Sequence, residues 1–157
     1  NSRFFDSIRG HISANTSARY FDTPQEPSCI VANNVPEMDA ICAFLDERVA
    51  DIKNLSYERN SVYLRFSHSA YNKGLTLTEL TKQLGLPTDR IFTAGDNHND
   101  TSMLHPNVAG MVACPSNAVP EVKESVAGHG GYVAARPGGQ GTLEALQHFF
   151  GDLGGSP

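Results

Sequence analysis

The amino-acid sequence predicts an α/β protein built from two units, and three observations support this fold class. Residues 1–70 include two neighbouring segments that predict an antiparallel hairpin, the second of them with apolar–polar alternation, whereas residues 71–157 alternate short apolar segments with helical ones. Strands that alternate with helices indicate βαβ units around a parallel sheet. Hydrophobic residues form 39% of the 157-residue chain, which is enough for a packed core. We therefore expect an α+β unit with an antiparallel sheet, then a parallel sheet with helices, with the boundary near residues 68–72.

The first unit contains one clear helix and three clear strands. Residues 1–27 fit no single assignment, since RGHISANTSARYFD is compatible with a short helix or with a strand. The segment CIVAN predicts a strand, and NLSYERN with SVYLRFS predicts a hairpin that turns at Asn60 and Ser61. PEMDAICAFLDERV predicts a helix, because Pro36 suits a first turn and four apolar residues recur at helical spacing: Met38, Ile41, Leu45 and Val49.

After Asn72 the pattern changes to helices and strands in alternation. KGLTLTELTKQLGL predicts a helix that ends at Gly85 and carries Leu77, Leu80 and Leu84 on one face. The next segments predict, in order, the strand RIFTAG, the short helix NDTSMLHP, the strand VAGMVAC, the helix VPEVKESVA, the strand GYVAA and the helix GTLEALQHFFGD. The glycine-rich segment RPGGQG lacks the spacing of a phosphate loop, so we interpret it as a connecting turn before the last helix.

Composition excludes several classes of partner. The net charge is -5, and no basic run occurs, so the electrostatic signature of nucleic-acid binding is missing. No stretch approaches the roughly 20 apolar residues that a membrane span needs. The three cysteines are odd in number, widely spaced and set in apolar segments, which is typical of reduced core residues in a cytosolic protein. We therefore expect a cytoplasmic protein that binds neither nucleic acid nor membranes.

The segment FTAGDNHNDTSML places two carboxylates and two amides directly after a predicted buried strand. In an open α/β sheet, ligands gather at the carboxyl ends of the strands. Aspartate and asparagine also cap helices, so the spacing of Asp96 and Asp100 is compatible with capping alone. However, one cap needs one such residue, and Asn97 and Asn99 bring the number here to four. Because Mg²⁺ accepts one or two carboxylates and completes its shell with water and phosphate oxygens, we interpret this acidic loop as a candidate Mg²⁺ site.

Lys73 and Asn117 are the other candidate site residues. A lone lysine is usually a solvated charge, but Lys73 begins a predicted helix, where the helix dipole disfavours a cation. A phosphate, or the carboxylates of Asp96 and Asp100, would supply the compensating anion. Asn117 follows another predicted strand and precedes a helix whose N-terminus can face an anion. As a plain turn residue Asn117 needs no function, but its place at the same sheet edge favours a shared site.

Three segments in this order carry a family resemblance: NKGLTLTELTKQLGL, IFTAGDNHNDTSML and VACPSNAVPEVKESVA. Together they resemble the C-terminal half of a haloacid dehalogenase (HAD)-superfamily phosphatase with a large α+β cap, as in the Cof-like and sucrose-phosphatase-like sugar phosphatases. The resemblance implies that residues 1–70 are part of the cap and that residues 71–157 are the C-terminal half of the core domain. It also implies Mg²⁺-dependent hydrolysis of a phosphomonoester, namely a sugar phosphate or another small phosphorylated metabolite.

The same resemblance implies a role for each candidate residue. Lys73 would neutralise the transferring phosphoryl group and position the nucleophile. Asp96 would bind Mg²⁺ directly, while Asp100 would bind it through a water molecule or hold Lys73. Asn99 would lie next to these metal-binding carboxylates without binding Mg²⁺ directly. Asn117 would contact the phosphate or its surroundings. Phosphoryl transfer needs mainly positioning and positive charge, which Mg²⁺ and lysine both provide.

The sequence departs from this family at one decisive point. HAD phosphatases use an aspartate nucleophile in an Asp-x-Asp-x-Thr motif, and no Asp-x-Asp occurs among these 157 residues. The chain also lacks an initiator methionine. We therefore expect it to be the C-terminal portion of a larger phosphatase and to be inactive alone. Its incomplete sheet would expose an edge that favours pairing with the missing N-terminal half or with another copy.

The sequence is also compatible with two other functions. The chain is also compatible with a non-catalytic binding or interaction module that kept the HAD fold and lost the nucleophile. A phosphomutase or phosphonatase relative would share the chemistry of the acidic loop, although the large cap pattern argues against it.

Overall fold

The structure, a computed structural model, describes residues 2–24 and 28–151 and divides the chain into two compact units, Asn1–Tyr71 and Asn72–Pro157. Unit 1 contains a four-stranded antiparallel sheet, and unit 2 contains a three-stranded parallel sheet. The predicted α/β class with one antiparallel and one parallel sheet is therefore confirmed. Within the described ranges, no helix is long and apolar enough to cross a membrane.

Unit 1 is an αββαββ arrangement whose sheet has the strand order β1-β2-β4-β3. The segment that fits no single assignment from sequence forms both a helix and a short strand. The predicted hairpin is confirmed, with Asn60 opposite Tyr63 and a positive φ of 53° at Ser61 in the turn. The elements are α1 Ser2–Asn15, β1 Arg19–Phe21, β2 Cys29–Val31, α2 Val35–Val49, β3 Leu55–Asn60 and β4 Tyr63–His68.

The core of unit 1 lies between its sheet and its helices. Ile30 and Leu64 pair across β2 and β4 and are fully buried. The apolar face predicted for α2 packs against them, and all four of its residues are buried: Met38, Ile41, Leu45 and Val49. Asn34 caps this helix, since its side chain accepts a hydrogen bond from the Glu37 N–H at 2.9 Å. The amphipathic pattern in the sequence therefore reports the true buried face.

Unit 2 has the parallel strand order β5-β6-β7 with helices between the strands. The acidic segment forms a 3₁₀ helix, His98–Met103, and a second 3₁₀ turn spans Thr88–Arg90. The remaining elements are α3 Lys73–Leu84, β5 Phe92–Ala94, β6 Met111–Cys114, α4 Pro120–Gly128, β7 Tyr132–Val133 and α5 Gly138–Phe150. The interpretation of RPGGQG as wholly a connecting turn is wrong, because α5 already begins at Gly138, inside that segment.

Only part of the predicted leucine face of α3 packs against the core. Leu77 packs against the core cluster of unit 2, which includes Leu104 and Val122. Leu80 and Leu84 remain 50% and 61% exposed. The buried residues of the helix are Gly74 in its first turn and Thr81 near its end, so Leu80 and Leu84 do not hold it in place.

Replacing Leu104 with alanine should lower the free energy of unfolding by about 2–5 kcal/mol, because the change leaves a cavity in the core. Leu104 is 1% exposed, so solvent cannot fill the space that its side chain leaves. The matched control is Leu80→Ala on α3, which should change stability by less than about 0.5 kcal/mol. Urea unfolding followed by circular dichroism measures both variants, and equal losses would contradict this assignment of the core.

Candidate functional site

Four segments of unit 2 meet at the carboxyl edge of the parallel sheet. They are the start of α3, the acidic loop after β5, the loop between β6 and α4, and the turn that leads into α5. Backbone hydrogen bonds join them: the Val119 N–H donates to the Asp96 carbonyl at 3.0 Å, and the Ser116 N–H donates to the Arg136 carbonyl at 2.9 Å. The topology thus brings segments that are distant in sequence to one edge, as open α/β sheets do at their ligand sites.

Asp100 lies at the centre of this edge and is 6% exposed. Its Oδ2 accepts hydrogen bonds from the backbone N–H groups of Asp96 and Asn97, at 3.0 and 3.2 Å. Its Oδ1 accepts a charge-assisted hydrogen bond from Lys73 Nζ. These donors satisfy a carboxylate that would otherwise be costly to bury. Asp100 therefore fixes both the acidic loop and the lysine.

Lys73 is the first residue of α3, and its side chain is 46% exposed. Asn72 caps the helix by accepting a hydrogen bond from the Leu75 N–H at 2.9 Å. The helix dipole at this end disfavours a cation, and the carboxylate of Asp100 supplies the opposing charge. Because almost half of the Lys73 side chain faces solvent, its ammonium keeps donors available for an added anion.

Two glycines allow this close packing. A side chain at Gly74 would overlap the Ser102 carbonyl, and a side chain at Gly95 would overlap the side chain of Asp100. The Gly74 N–H also donates to Ser102 Oγ at 3.1 Å. The glycine that follows Lys73 thus lets α3 lie directly against the 3₁₀ helix of the acidic loop.

Asp96 and Asp100 line a cavity of about 300 Å³ at the sheet edge. Asp96 is exposed at the end of β5, where its carboxylate is accessible to a ligand. Asn99 Oδ1 is buried and has no hydrogen-bond partner within the described residues, so a polar oxygen remains unsatisfied in the same loop. The two carboxylates that line the cavity suit a hard cation such as Mg²⁺ when phosphate and water complete its shell. In the described ranges, no cluster of three or more His, Cys, Asp or Glu side chains is placed to hold a metal.

Asn117 lies in the loop between β6 and α4, beside the start of α5. Its Oδ1 accepts a hydrogen bond from the Gly138 N–H at 2.6 Å. Gly138, Gly139 and Thr142 line the same cavity as Asp96. Sequence reasoning missed these three residues. A glycine-rich segment before a helix at the carboxyl edge was the available signal.

Glu144 holds the turn that precedes α5. Its carboxylate accepts hydrogen bonds from the backbone N–H groups of Ala135 and Arg136, at 2.9 and 3.1 Å, and from the Tyr132 hydroxyl at 2.8 Å. The Ala135 N–H, followed by the Tyr132 hydroxyl, lowers the pKa of Glu144 below its ordinary value. These bonds fix the position of the turn from which the glycine-rich start of α5 enters the cavity wall.

The sequence profile of haloacid dehalogenase-like hydrolases matches residues 8–129. The chain belongs to this family. Among HAD relatives, phosphoglycolate phosphatase from Methanothrix thermoacetophila is 27% identical over 147 residues, which are 91% of this chain and 60% of that protein. Glucosylglycerol-phosphate synthase from Pseudomonas anguilliseptica is 38% identical over 88 residues, which are 55% of this chain and 11% of that enzyme. The chain thus spans less than two thirds of the length of both curated relatives.

Solved structures show the same fold. Sucrose-phosphatase from Synechocystis, determined with sucrose and phosphate, superposes with a TM-score of 0.70 at 17% identity, over 95% of this chain and 62% of that one. A protein from Thermoplasma acidophilum superposes with a TM-score of 0.62 at 19% identity, over 93% of this chain and 61% of that one. The predicted membership of the HAD superfamily is therefore confirmed by the sequence profile, and the predicted likeness to sucrose-phosphatase is confirmed at the level of the fold.

Gly74→Ala should lower the free energy of unfolding by about 1–3 kcal/mol, because the added methyl group meets the Ser102 backbone. Gly128→Ala, at the end of α4, is the matched control, since a side chain there meets nothing within 4 Å. Its stability should stay unchanged or rise by up to about 1 kcal/mol. Thermal unfolding compares the two variants. A Gly74→Ala protein as stable as the control would refute the close packing of α3 on the acidic loop.

Proposed function

We propose that this chain is the C-terminal portion of a Mg²⁺-dependent phosphomonoester hydrolase that acts on a sugar phosphate or another small phosphorylated metabolite. The observation that carries the proposal is the ion pair between Lys73 and Asp100 beside the exposed carboxylate of Asp96, at the carboxyl edge of a parallel sheet. Membership of the HAD family supports it. Relatives named phosphoglycolate phosphatase and sucrose-phosphatase support the class of substrate.

Each candidate residue has a role in this proposal. Lys73 offers its half-exposed ammonium to the phosphoryl oxygens, and Asp100 orients that ammonium through their hydrogen bond. Asp96, with Asn99 behind it, holds the metal, and Asn117 shapes the surroundings of the phosphate. Bound Mg²⁺ would add positive charge against the negative charge that develops during phosphoryl transfer.

The nucleophile belongs to a segment outside this sequence. HAD phosphatases form an aspartyl-phosphate, and the chain contains no Asp-x-Asp. It also spans 60% of the phosphoglycolate phosphatase that it resembles. We therefore expect the gene to extend upstream through an Asp-x-Asp-x-Thr segment, and we expect the 157-residue chain alone to be inactive. Unit 1 would then be part of the α+β cap, and unit 2 would be the C-terminal half of the core.

β5 gives the missing segment a place to bind. It is the terminal strand of the described sheet and pairs with β6 along one side. An open strand edge is a template for another strand. We propose that this edge pairs with the N-terminal half of the same protein or, when that half is missing, with another copy. A cytoplasmic location accords with three cysteines that form no disulfide within the described residues, namely Cys29, Cys42 and Cys114.

A non-catalytic HAD-like module is the second candidate function, and the missing nucleophile motif is the observation that favours it. This alternative keeps the fold and the ion pair of Lys73 with Asp100. It predicts no turnover of a generic aryl phosphate even when the protein includes its upstream segment. Turnover that depends on Mg²⁺ in that longer protein would exclude it.

In the protein extended by its upstream segment, Asp96→Asn should lower kcat by about 100-fold or more, because the neutral amide no longer holds the metal. The fold should persist, since Asp96 is exposed and its backbone bonds remain. Phosphate release across a Mg²⁺ titration measures the effect. The control is Asp89→Asn, which removes an exposed carboxylate from the turn Thr88–Arg90 and should retain full activity. Unchanged activity in Asp96→Asn would remove Asp96 as a metal ligand.

A further inference from the structure

Helix α5 begins without a cap of its own. Its N-cap residue is Pro137, which makes no side-chain capping bond, and the next residues are Gly138 and Gly139. Gly138 has a φ of +53°, which side chains rarely adopt. The first N–H groups of a helix lack partners inside the helix, and glycine is a poor helix former. Local sequence alone therefore does not explain why the helix starts here.

Asn117 supplies the missing cap from another loop. Its Oδ1 accepts the Gly138 N–H at 2.6 Å across 21 residues of sequence. The neighbouring Ser116 N–H donates to the Arg136 carbonyl, so two successive residues of this loop bind the turn before α5. At its other end, the loop binds the acidic loop through Val119 and the Asp96 carbonyl. The Asn117 loop thus links the start of α5 to the carboxylates.

The start of α5 forms one wall of the cavity of about 300 Å³ that Asp96 and Asp100 also line. Gly138 and Gly139 line this cavity together with Asp96 and Asp100. Because glycine has no side chain, the backbone of α5 itself forms this wall. A side chain at Gly141 would overlap the Arg136 carbonyl, so the first turn of the helix packs tightly on the preceding turn. The positive end of the helix dipole therefore lies beside the cavity where the phosphate is expected.

We propose that Asn117 is a positioning residue, which caps α5 from a neighbouring loop and holds the glycine start of that helix as a wall of the phosphate cavity. The proposal rests on the proposed function for the identity of the ligand. It differs from direct phosphate recognition by Asn117, because it uses the amide oxygen as an acceptor for Gly138 rather than the amide N–H groups as donors to phosphate.

Two substitutions separate these roles. Asn117→Asp keeps an oxygen acceptor for the Gly138 N–H, and aspartate is a good cap at the positive end of a helix. Asn117→Ala removes the acceptor. If Asn117 acts as a cap, Asn117→Asp should preserve its function better than Asn117→Ala. If Asn117 binds phosphate directly, Asn117→Asp should be the more damaging change, since a carboxylate would repel the anion and donate no hydrogen bond to it. Asn107→Ala, in an exposed turn, is the matched control.

The first measurement is amide hydrogen exchange at Gly138 in the 157-residue chain, and it does not depend on any activity. Exchange should be about tenfold faster in Asn117→Ala and close to the parent rate in Asn117→Asp and Asn107→Ala. Unchanged exchange at Gly138 in Asn117→Ala would overturn the proposal, because the cap would then be unnecessary.

The second measurement is steady-state phosphate release by the protein extended with its upstream segment. Asn117→Ala should raise KM about tenfold with a smaller change in kcat, and Asn117→Asp should restore most of that loss. Aspartate more damaging than alanine would overturn the positioning role. Absence of any Mg²⁺-dependent turnover in the unsubstituted extended protein would instead refute the proposed function, while the exchange measurement still decides whether Asn117 caps α5.

Discussion

The buried carboxylate of Asp100 is the interaction on which the rest of the site depends. It is 6% exposed and accepts hydrogen bonds from Lys73 Nζ and from the backbone N–H groups of Asp96 and Asn97. A buried carboxylate is tolerated only when donors satisfy it. Those donors come from the start of α3 and from the acidic loop. One side chain thus sets the position of the lysine and the direction in which the exposed Asp96 leaves its strand.

Glycines in the surrounding segments let the backbone pack closely around this carboxylate. Gly74 brings α3 against the acidic loop, and Gly95 leaves room for the Asp100 side chain. On the opposite side of the cavity, Asn117 and Glu144 hold the turn that leads into α5. Charge and steric space are therefore supplied by different segments. Lys73 and the helix dipoles provide positive potential, while glycines leave the cavity open for the phosphate that we propose it binds.

The sequence predicted those features that depend on local pattern. The helix α2 and the hairpin of β3 and β4 follow from apolar spacing and turn residues, and both are confirmed. The expectation of an anion beside Lys73 followed from its place at a helix start, and the structure puts Asp100 there. The start of α5 was not predictable in this way, because its cap lies 21 residues away in sequence. The exposure of Leu84 was also hidden, since helical spacing reveals an apolar face but not its partner.

The most direct test of the account is a crystal structure of the protein extended by its upstream segment, grown with Mg²⁺ and orthovanadate as a mimic of the transferring phosphoryl group. We expect a carboxylate oxygen of Asp96 to bind Mg²⁺ at about 2.1 Å. We also expect Lys73 to contact the vanadate while it keeps its hydrogen bond to Asp100. Mg²⁺ and vanadate bound away from Asp96 and Lys73 would contradict the account.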